Sequence, residues 1–138
     1  MMQTFYIAAR ARHRAEEVSR LQDLLREKGL ESALDWVALG ANGEVKKPYK
    51  ENPKNSGMLG DLMLEAAQKA DLFILLHDQD LEGALMEYGV ARYAAIRDSE
   101  KRVLVVDLGG RDSIFLHRTN VTNVDSIESL KVWIEENL

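Results

Sequence analysis

The chain has 138 residues, of which 46% are hydrophobic and 30% charged, and its formal net charge is −5. This length and composition predict one globular domain over residues 1–138, and the acidic balance argues against a nucleic-acid polymer as the main partner. The absence of cysteine excludes disulfides and thiolate metal sites. Because no signal segment and no apolar run of membrane-spanning length is present, we expect a cytoplasmic protein that binds no membrane.

Apolar runs alternate along the chain with segments of helical spacing. Short apolar runs predict strands, and apolar residues three or four positions apart predict helices, with Gly29 as the C-terminal cap of the first helix. The stretch 40–57 holds both prolines and is predicted to be a loop, long enough to act as a lid or binding element. In chain order the predicted elements are a strand at 4–9, a helix at 14–28, a strand at 32–37, the loop at 40–57, a helix at 61–69, a strand at 71–76, a helix at 83–96, a strand at 102–107 and a helix at 125–137.

Strands that alternate with helices predict an α/β fold with a parallel sheet and right-handed crossovers. The runs 71–76 and 102–107 are apolar at nearly every position, as expected for strands covered on both faces. We therefore predict a flavodoxin-like three-layer sandwich with a mainly parallel five-stranded sheet, and the pattern leaves open whether 114–124 contains the fifth strand. In such sheets ligands bind beyond the carboxyl ends of the strands.

One acidic residue, Glu87, has an unusual set of neighbours in the predicted helix 83–96. Residues three and four positions away share its helix face, and all of them are small or apolar. They are Gly83, Ala84, Val90 and Ala91. Burying a carboxylate without a partner is costly, so such a group is usually paired or functional. The alternative is a glutamate at the edge of the apolar stripe whose carboxylate reaches solvent.

Further acidic residues follow the third predicted strand, where the sheet rule places a ligand. They are Asp78, Asp80 and Glu82. Acids at a helix start can simply cap free N–H groups and suit the helix dipole. The functional interpretation is that one of them protonates a leaving group while Glu87 attacks, because two carboxylates in different environments are the usual means of breaking a glycosidic bond.

Several common motifs are missing from the sequence. No Gly-x-Gly-x-x-Gly follows the first strand and no Gly-Lys-Ser/Thr occurs, which argues against ordinary NAD and ATP enzymes. The three histidines lack metal-ligand spacing, so we predict no metal and no cofactor. The basic cluster of Arg10, Arg12, His13 and Arg14 can still hold one phosphate.

Separate stretches of the chain together resemble the nucleoside 2-deoxyribosyltransferase family, including its deoxynucleoside 5′-monophosphate N-glycosidase branch. The segment 70–91 is the most specific, because its strand, polar loop and helix are similar to the family's and Glu87 matches the family's nucleophile. The opening strand is similar to the family's first strand, with Tyr6 at the position of its tyrosine. Ser113 falls where family members place a residue in the neighbouring subunit's site.

The resemblance implies a role for each matching residue. Glu87 would attack C1′ of the sugar, and Tyr6 would hold Glu87 by a hydrogen bond. Arg12 matches the arginine that binds a 5′-phosphate in the nucleotide branch, the alternative being a solvated arginine at a helix start. Ser113 implies a homodimer or larger homo-oligomer with shared sites, and the adjacent apolar triplet 114–116 would then lie in the interface, unless it is a short core strand.

Further substrate contacts are expected from residues near these positions. Trp36, at the end of the predicted second strand, would stack on the base, the alternative being ordinary core packing. Asp78, Asp80 and Gly83 would lie around the substrate.

The chain also departs from the family pattern. The family's catalytic aspartate falls on Met63, so we expect the nearby Asp61, or failing it Asp78, to protonate the departing base. The phosphate-binding serine of the nucleotide branch falls on Leu81, and the transferase branch's aspartate at that position is displaced to Asp80. The chain therefore matches neither branch fully.

Residues and resemblance together predict an enzyme that cleaves or transfers at the N-glycosidic bond of a (deoxy)nucleoside or its 5′-monophosphate through Glu87. The alternative is a nucleotide-binding module of the same fold without turnover, which Met63 in place of the aspartate favours. A flavodoxin-like signalling domain is a further alternative, but it gives no reason for a glutamate on a small-residue face. The sequence leaves open the base, the sugar and whether water or a second base is the acceptor.

Overall fold

The computed structural model describes residues 2–41, 47–117 and 120–138, without the side chains of residues 12, 40 and 41. In chain order its elements are β1 (Thr4–Ala8), α1 (Ala11–Glu27), β2 (Glu31–Ser32), α2 (Trp36–Ala41), α3 (Pro53–Lys69), β3 (Leu72–His77), α4 (Gly83–Arg97), β4 (Arg102–Asp107), β5 (Val121–Val124) and α5 (Ile127–Asn137). Short 3-10 helices lie at Tyr49–Glu51 and Ile114–Leu116.

The five strands form one parallel sheet in the order β2-β1-β3-β4-β5. Helices α3 and α4 pack against each other on one face of the sheet. On the other face an ion pair between Lys28, which follows α1, and Glu135 of α5 joins the two remaining long helices (2.6 Å). This arrangement confirms the predicted flavodoxin-like three-layer fold with a fifth strand at the edge.

The central strands are buried on both faces, as their continuous apolar sequences predict. All six residues of β3 are buried, and so are the four inner residues of β4. Parallel pairing brings Tyr6 of β1 beside Phe73 of β3, with ring centroids 6.0 Å apart. The ring of Tyr88 on α4 packs against that of Phe73, with centroids 6.4 Å apart, so this aromatic row joins the sheet to α4.

Two polar side chains anchor the amino edge of the sheet. The carboxylate of Asp71 accepts hydrogen bonds from the backbone N–H groups of Gln3 (2.8 Å) and Thr4 (3.0 Å), which fixes the start of β1 against β3. Lys101 is 4% exposed, and its ammonium donates to three carbonyl groups at the end of α3. Those carbonyls have no partner within the helix, so Lys101 acts as the C-terminal cap of α3.

The second predicted strand is mostly wrong. Strand β2 covers only Glu31–Ser32, and Trp36 begins helix α2 instead of ending a strand. The cause is Asp35, whose carboxylate accepts the backbone N–H of Ala38 (3.1 Å) and so caps the start of a helix. A local side-chain hydrogen bond has outweighed the preference of tryptophan and valine for a strand.

The long predicted loop is also shorter than expected. Helix α3 begins at Pro53, not at residue 61, and proline at a first helical position suits a helix start. Part of the predicted loop, residues 42–46, lies outside the described residues.

The triplet 114–116 forms a 3-10 helix and not a strand, with Ile114 80% exposed and Phe115 59% exposed. Among the helices described, none is both long enough and apolar enough to cross a bilayer.

Candidate active site

Helix α4 directs Glu87 toward the sheet. The side chain is 4% exposed and lies beside the buried residues Ala84 and Ala91, so the solvent-exposed alternative does not hold. Burial disfavours the charged form and raises the pKa of Glu87 from 4.5 to about 7, although the nearby Tyr6 hydroxyl acts in the opposite direction. The structure therefore contains a buried carboxylic group that titrates near neutral pH.

Tyr6 of β1 faces Glu87 from the sheet. Its ring is fully buried, and burial followed by the charge of Glu87 raises the pKa of the Tyr6 hydroxyl. The hydroxyl makes no hydrogen bond of ordinary geometry within the described structure. The two side chains are thus neighbours, each of which shifts the pKa of the other, but the expected hydrogen bond between them is not formed here with standard geometry.

Trp36 lies against the carboxyl end of β1. Its indole N–H donates to the carbonyl oxygen of Ile7 (2.6 Å), and the residue is only 9% exposed. Both its polar atom and its ring are therefore used in packing α2 against β1. This geometry favours the core-packing interpretation of Trp36 over stacking on a base.

A cleft of about 1010 Å³ lies on the neighbouring side of α4, between the β3–α4 loop and the segment that follows β4. Its lining includes three residues predicted from the sequence, Asp78, Asp80 and Ser113. Glu87 and Tyr6 are not among its lining residues. The predicted site residues thus form two groups on adjacent sides of α4, whose exposed first residue is Gly83.

The candidate proton donors differ in environment. Asp78 accepts a hydrogen bond from the guanidinium of Arg14 (2.8 Å), which holds the pKa of the Asp78 carboxyl below its usual range. A carboxyl kept ionised in this way is a poor acid. Asp61 is exposed on α3. Asp80 is an exposed turn residue with a positive φ of 57°, a conformation that aspartate tolerates better than most residues.

Two sequence alternatives concern the ends of helices. Among the residues that the structure describes, no side chain caps the start of α4, so the capping role considered for Asp80 and Glu82 is not observed. Ser113 does cap the 3-10 helix, because its hydroxyl accepts the N–H of Phe115 (3.2 Å). The backbone of Arg12 lies in the first turn of α1, whereas its side chain lies outside the described part of the structure.

The cleft also contains residues that sequence reasoning missed. His77 is 5% exposed, and its ring packs on Gly110, where an added Cβ would come within 2.6 Å of the ring atoms. Arg92 lies 5.8 Å from the centre of the Phe115 ring, and the Tyr88 hydroxyl donates to the Phe115 carbonyl. Because Tyr88 and Arg92 are four residues apart, the sequence already indicates that they share a face of α4. Their contact with Phe115 depends on the tertiary fold.

Neither the Glu87–Tyr6 pair nor the cleft that contains Asp78 and Asp80 resembles a metal centre. In the ranges that the structure describes, no three histidine, aspartate or glutamate side chains are arranged to hold a metal ion.

Comparison with known proteins finds similarity among solved structures. No protein-family model matches the sequence, and no curated protein matches it. Among solved structures, the CMP N-glycosidase BcmB of Clostridium botulinum is similar, with a TM-score of 0.65 and 17% sequence identity over 99% of this chain and 100% of that one. At this identity the likeness shows a shared three-layer α/β fold.

Proposed function

We propose that this protein cleaves or transfers at the N-glycosidic bond of a (deoxy)nucleoside or its 5′-monophosphate, with Glu87 as nucleophile. The observation that supports this most directly is the burial of Glu87 on a small-residue face of α4, opposite Tyr6, near the carboxyl edge of a parallel sheet. Strongly perturbed carboxyl groups are concentrated at functional sites. The fold shared with a CMP N-glycosidase is consistent with this chemistry.

The reaction would proceed in two displacements. The Glu87 carboxylate attacks C1′, the bond between C1′ and the base nitrogen breaks, and the base departs with the bonding electrons and takes up a proton. Water or a second base then attacks C1′ of the glycosyl ester and releases Glu87. Tyr6 is protonated at neutral pH, as an ordinary tyrosine is, and burial raises its pKa further, so its hydroxyl can donate to the carboxylate that each cycle regenerates.

Asp61 is the proposed donor of the proton to the departing base. It lies on α3, which packs against α4, and its exposed side chain is accessible to a substrate. Asp78 is the weaker candidate, because its hydrogen bond with Arg14 keeps its carboxyl ionised.

Arg12 is the proposed partner of a 5′-phosphate. The first turn of α1 contains no acidic residue and follows Arg10 at the N-cap. The free N–H groups and dipole of a helix start favour an anion. Arg14 is already paired with Asp78 (2.8 Å) and Glu17 (3.0 Å), so the phosphate contact is assigned to Arg12, as the family resemblance implies.

The active unit is proposed to be a homo-oligomer in which Ser113 enters the neighbouring subunit's site. Ser113 lies beside two strongly exposed apolar side chains, Ile114 and Phe115. Contiguous exposed apolar residues tend to mark interfaces. Mixing inactive Glu87→Ala chains with inactive Ser113→Arg chains tests the shared site, because one pocket of a mixed dimer would combine both intact residues.

The second candidate function is a nucleotide-binding module without turnover. Two observations favour it: the cleft of about 1010 Å³ is not lined by Glu87, and the best proton donor, Asp61, lies on an exposed helix surface. Such a module would use the cleft to bind a nucleotide and leave Glu87 as a buried structural group.

One experiment separates the two functions. The protein is incubated with ribo- and deoxyribonucleosides and with their 5′-monophosphates, and free base is measured by chromatography beside the variant Glu87→Gln. Free base that the wild type releases and the variant does not supports the enzyme. Nucleotide binding without base release supports the binding module, and release that survives in Glu87→Gln refutes the proposed mechanism.

A further inference from the structure

The cleft beside α4 contains an arginine to which the described part of the protein offers no anion. Arg92 lines this cleft, and its guanidinium lies 5.8 Å from the centre of the Phe115 ring. Its Nε atom is buried without a hydrogen-bond partner, and among the described residues no ion pair joins Arg92 to a carboxylate. Burying a cation without a partner is costly, so a bound anion would satisfy a group that the fold leaves uncompensated.

The aspartates that share the cleft are engaged elsewhere or exposed. Asp78 is bound by the guanidinium of Arg14 (2.8 Å), and the carboxylate of Asp112 lies 2.6 Å from the His117 ring. The third, Asp80, is an exposed turn residue. None of these three forms an ion pair with the cleft arginine, so its positive charge is available to a ligand.

The walls of the cleft include several apolar side chains around this charge. Leu85, Tyr93 and Ile96 of α4 line it and are 40%, 59% and 49% exposed, and Phe115 lines it from the segment that follows β4. A concave site with apolar walls and a few polar groups is the usual form of a small-molecule site. An aromatic ring suits these walls, because it packs well against other rings and buries a large apolar area.

We propose that this cleft binds a small organic acid with an aromatic or heteroaromatic ring, whose anionic group meets Arg92 and whose ring packs against the apolar wall of α4. Carboxylate and phosphate oxygens accept two parallel hydrogen bonds from a guanidinium, and sulfonate oxygens offer the same arrangement. Glu87 does not line the cleft, so the inference does not rest on the proposed reaction. A nucleoside 5′-monophosphate is one acid of this class, and the binding module considered above would hold it here.

Fluorescence titration of the full chain with anilinonaphthalene sulfonate gives the first test. This aromatic sulfonate becomes fluorescent in apolar surroundings, and phenylnaphthylamine has the same rings without the charge. Arg92→Met should weaken sulfonate binding at least about tenfold, because charge-assisted hydrogen bonds are lost, while binding of the neutral amine should change little. A wild type that binds no sulfonate saturably, or a variant that binds it as well as the wild type does, would overturn the proposal.

Arg97→Met is the matched control. Arg97 also lies on α4 and over an aromatic ring, 5.5 Å from the centre of the Tyr93 ring, but it does not line this cleft. Its variant should bind the sulfonate like the wild type, and equal weakening by both substitutions would contradict the assignment to Arg92. Arg92→Lys retains a charge without the two-point geometry and should give an intermediate affinity. Thermal denaturation of each variant checks that the fold is intact.

Competition against the bound sulfonate needs no substitution and distinguishes the sources of the acid. Naphthoate should displace the probe from the wild type, whereas the neutral naphthyl methanol should be at least about tenfold weaker. Displacement by naphthoate alone identifies an aromatic carboxylate as the occupant, and displacement by deoxynucleoside 5′-monophosphates identifies a nucleotide. Displacement by the neutral alcohol or by inorganic phosphate at the same concentration as naphthoate would show that ring and anion do not act together, and would overturn the proposal.

Discussion

Replacing Glu87 with glutamine should stabilise the folded protein relative to the wild type, and this gain should be larger at neutral and alkaline pH than at acidic pH. Glutamine keeps the size and shape of the side chain but cannot ionise. In the wild type the folded protein holds a carboxyl group with a pKa of about 7, against an ordinary value of 4.5 in the unfolded chain. The two states therefore bind different numbers of protons between these values.

The sign follows from that difference. Below pH 4.5 Glu87 is protonated in both states, and its burial carries no charge penalty. As pH rises from 4.5 toward 7 the unfolded chain releases the proton while the folded protein keeps it, so stability is lost through this window. At about 1.4 kcal/mol per pH unit, the wild type loses about 3 kcal/mol that the Glu87→Gln variant retains, which is roughly 10 °C in Tm for a chain of this length.

The assay is urea denaturation of wild type and Glu87→Gln at intervals between pH 4 and pH 9. The quantity compared is the difference between their free energies of unfolding, in which contributions from other titrating groups cancel. Glu136→Gln, at an exposed glutamate of α5, is the matched control and should show little dependence on pH. A flat difference for Glu87→Gln would mean that Glu87 is not buried as a perturbed carboxyl group, and the reasoning would be wrong.

Further variants test other contacts in the structure. Tyr6→Phe removes a buried hydroxyl without an ordinary hydrogen bond, so the free energy of unfolding should be unchanged or higher by about 1 kcal/mol. The pKa of Glu87 should rise, because the Tyr6 hydroxyl lowers it. A loss above about 2 kcal/mol in urea denaturation would reveal a hydrogen bond. Lys101→Met leaves the buried carbonyls at the end of α3 without a donor and should cost about 2 kcal/mol, whereas the exposed Lys69→Met should cost little. Gly110→Ala forces a Cβ against the His77 ring and should cost about 1–3 kcal/mol in the same assay; an unchanged midpoint would show that the ring moves freely.

The features predicted well from the sequence are those that a local pattern determines. Strand β4 was predicted with its observed bounds, and β3 to within one residue, because a buried central strand must be apolar at nearly every position. The burial of Glu87 was also predictable, since the helical repeat alone identifies the side chains beside it. In these cases residues close in sequence determine the environment.

The features that were missed depend on contacts between distant segments or on single capping bonds. Trp36 was placed on a strand because its sequence preference suits one, but the Asp35 carboxylate starts a helix there. The role of Lys101 could not be predicted, because its carbonyl partners belong to a helix more than thirty residues earlier. The separation of Glu87 from the large cleft likewise arises from the direction of each side chain around α4, which the family resemblance alone does not specify.

The hydrogen bonds of Asp71 and Lys101 have a consequence for how this protein can change over evolution. Both lie at the amino edge of the sheet, where Asp71 joins β1 to β3 and Lys101 closes the end of α3. The loops after β3 and β4, which line the cleft, lie at the opposite edge. Substitutions in these loops therefore leave both anchors intact, and a descendant protein could acquire a new ligand preference there while it keeps the same sheet.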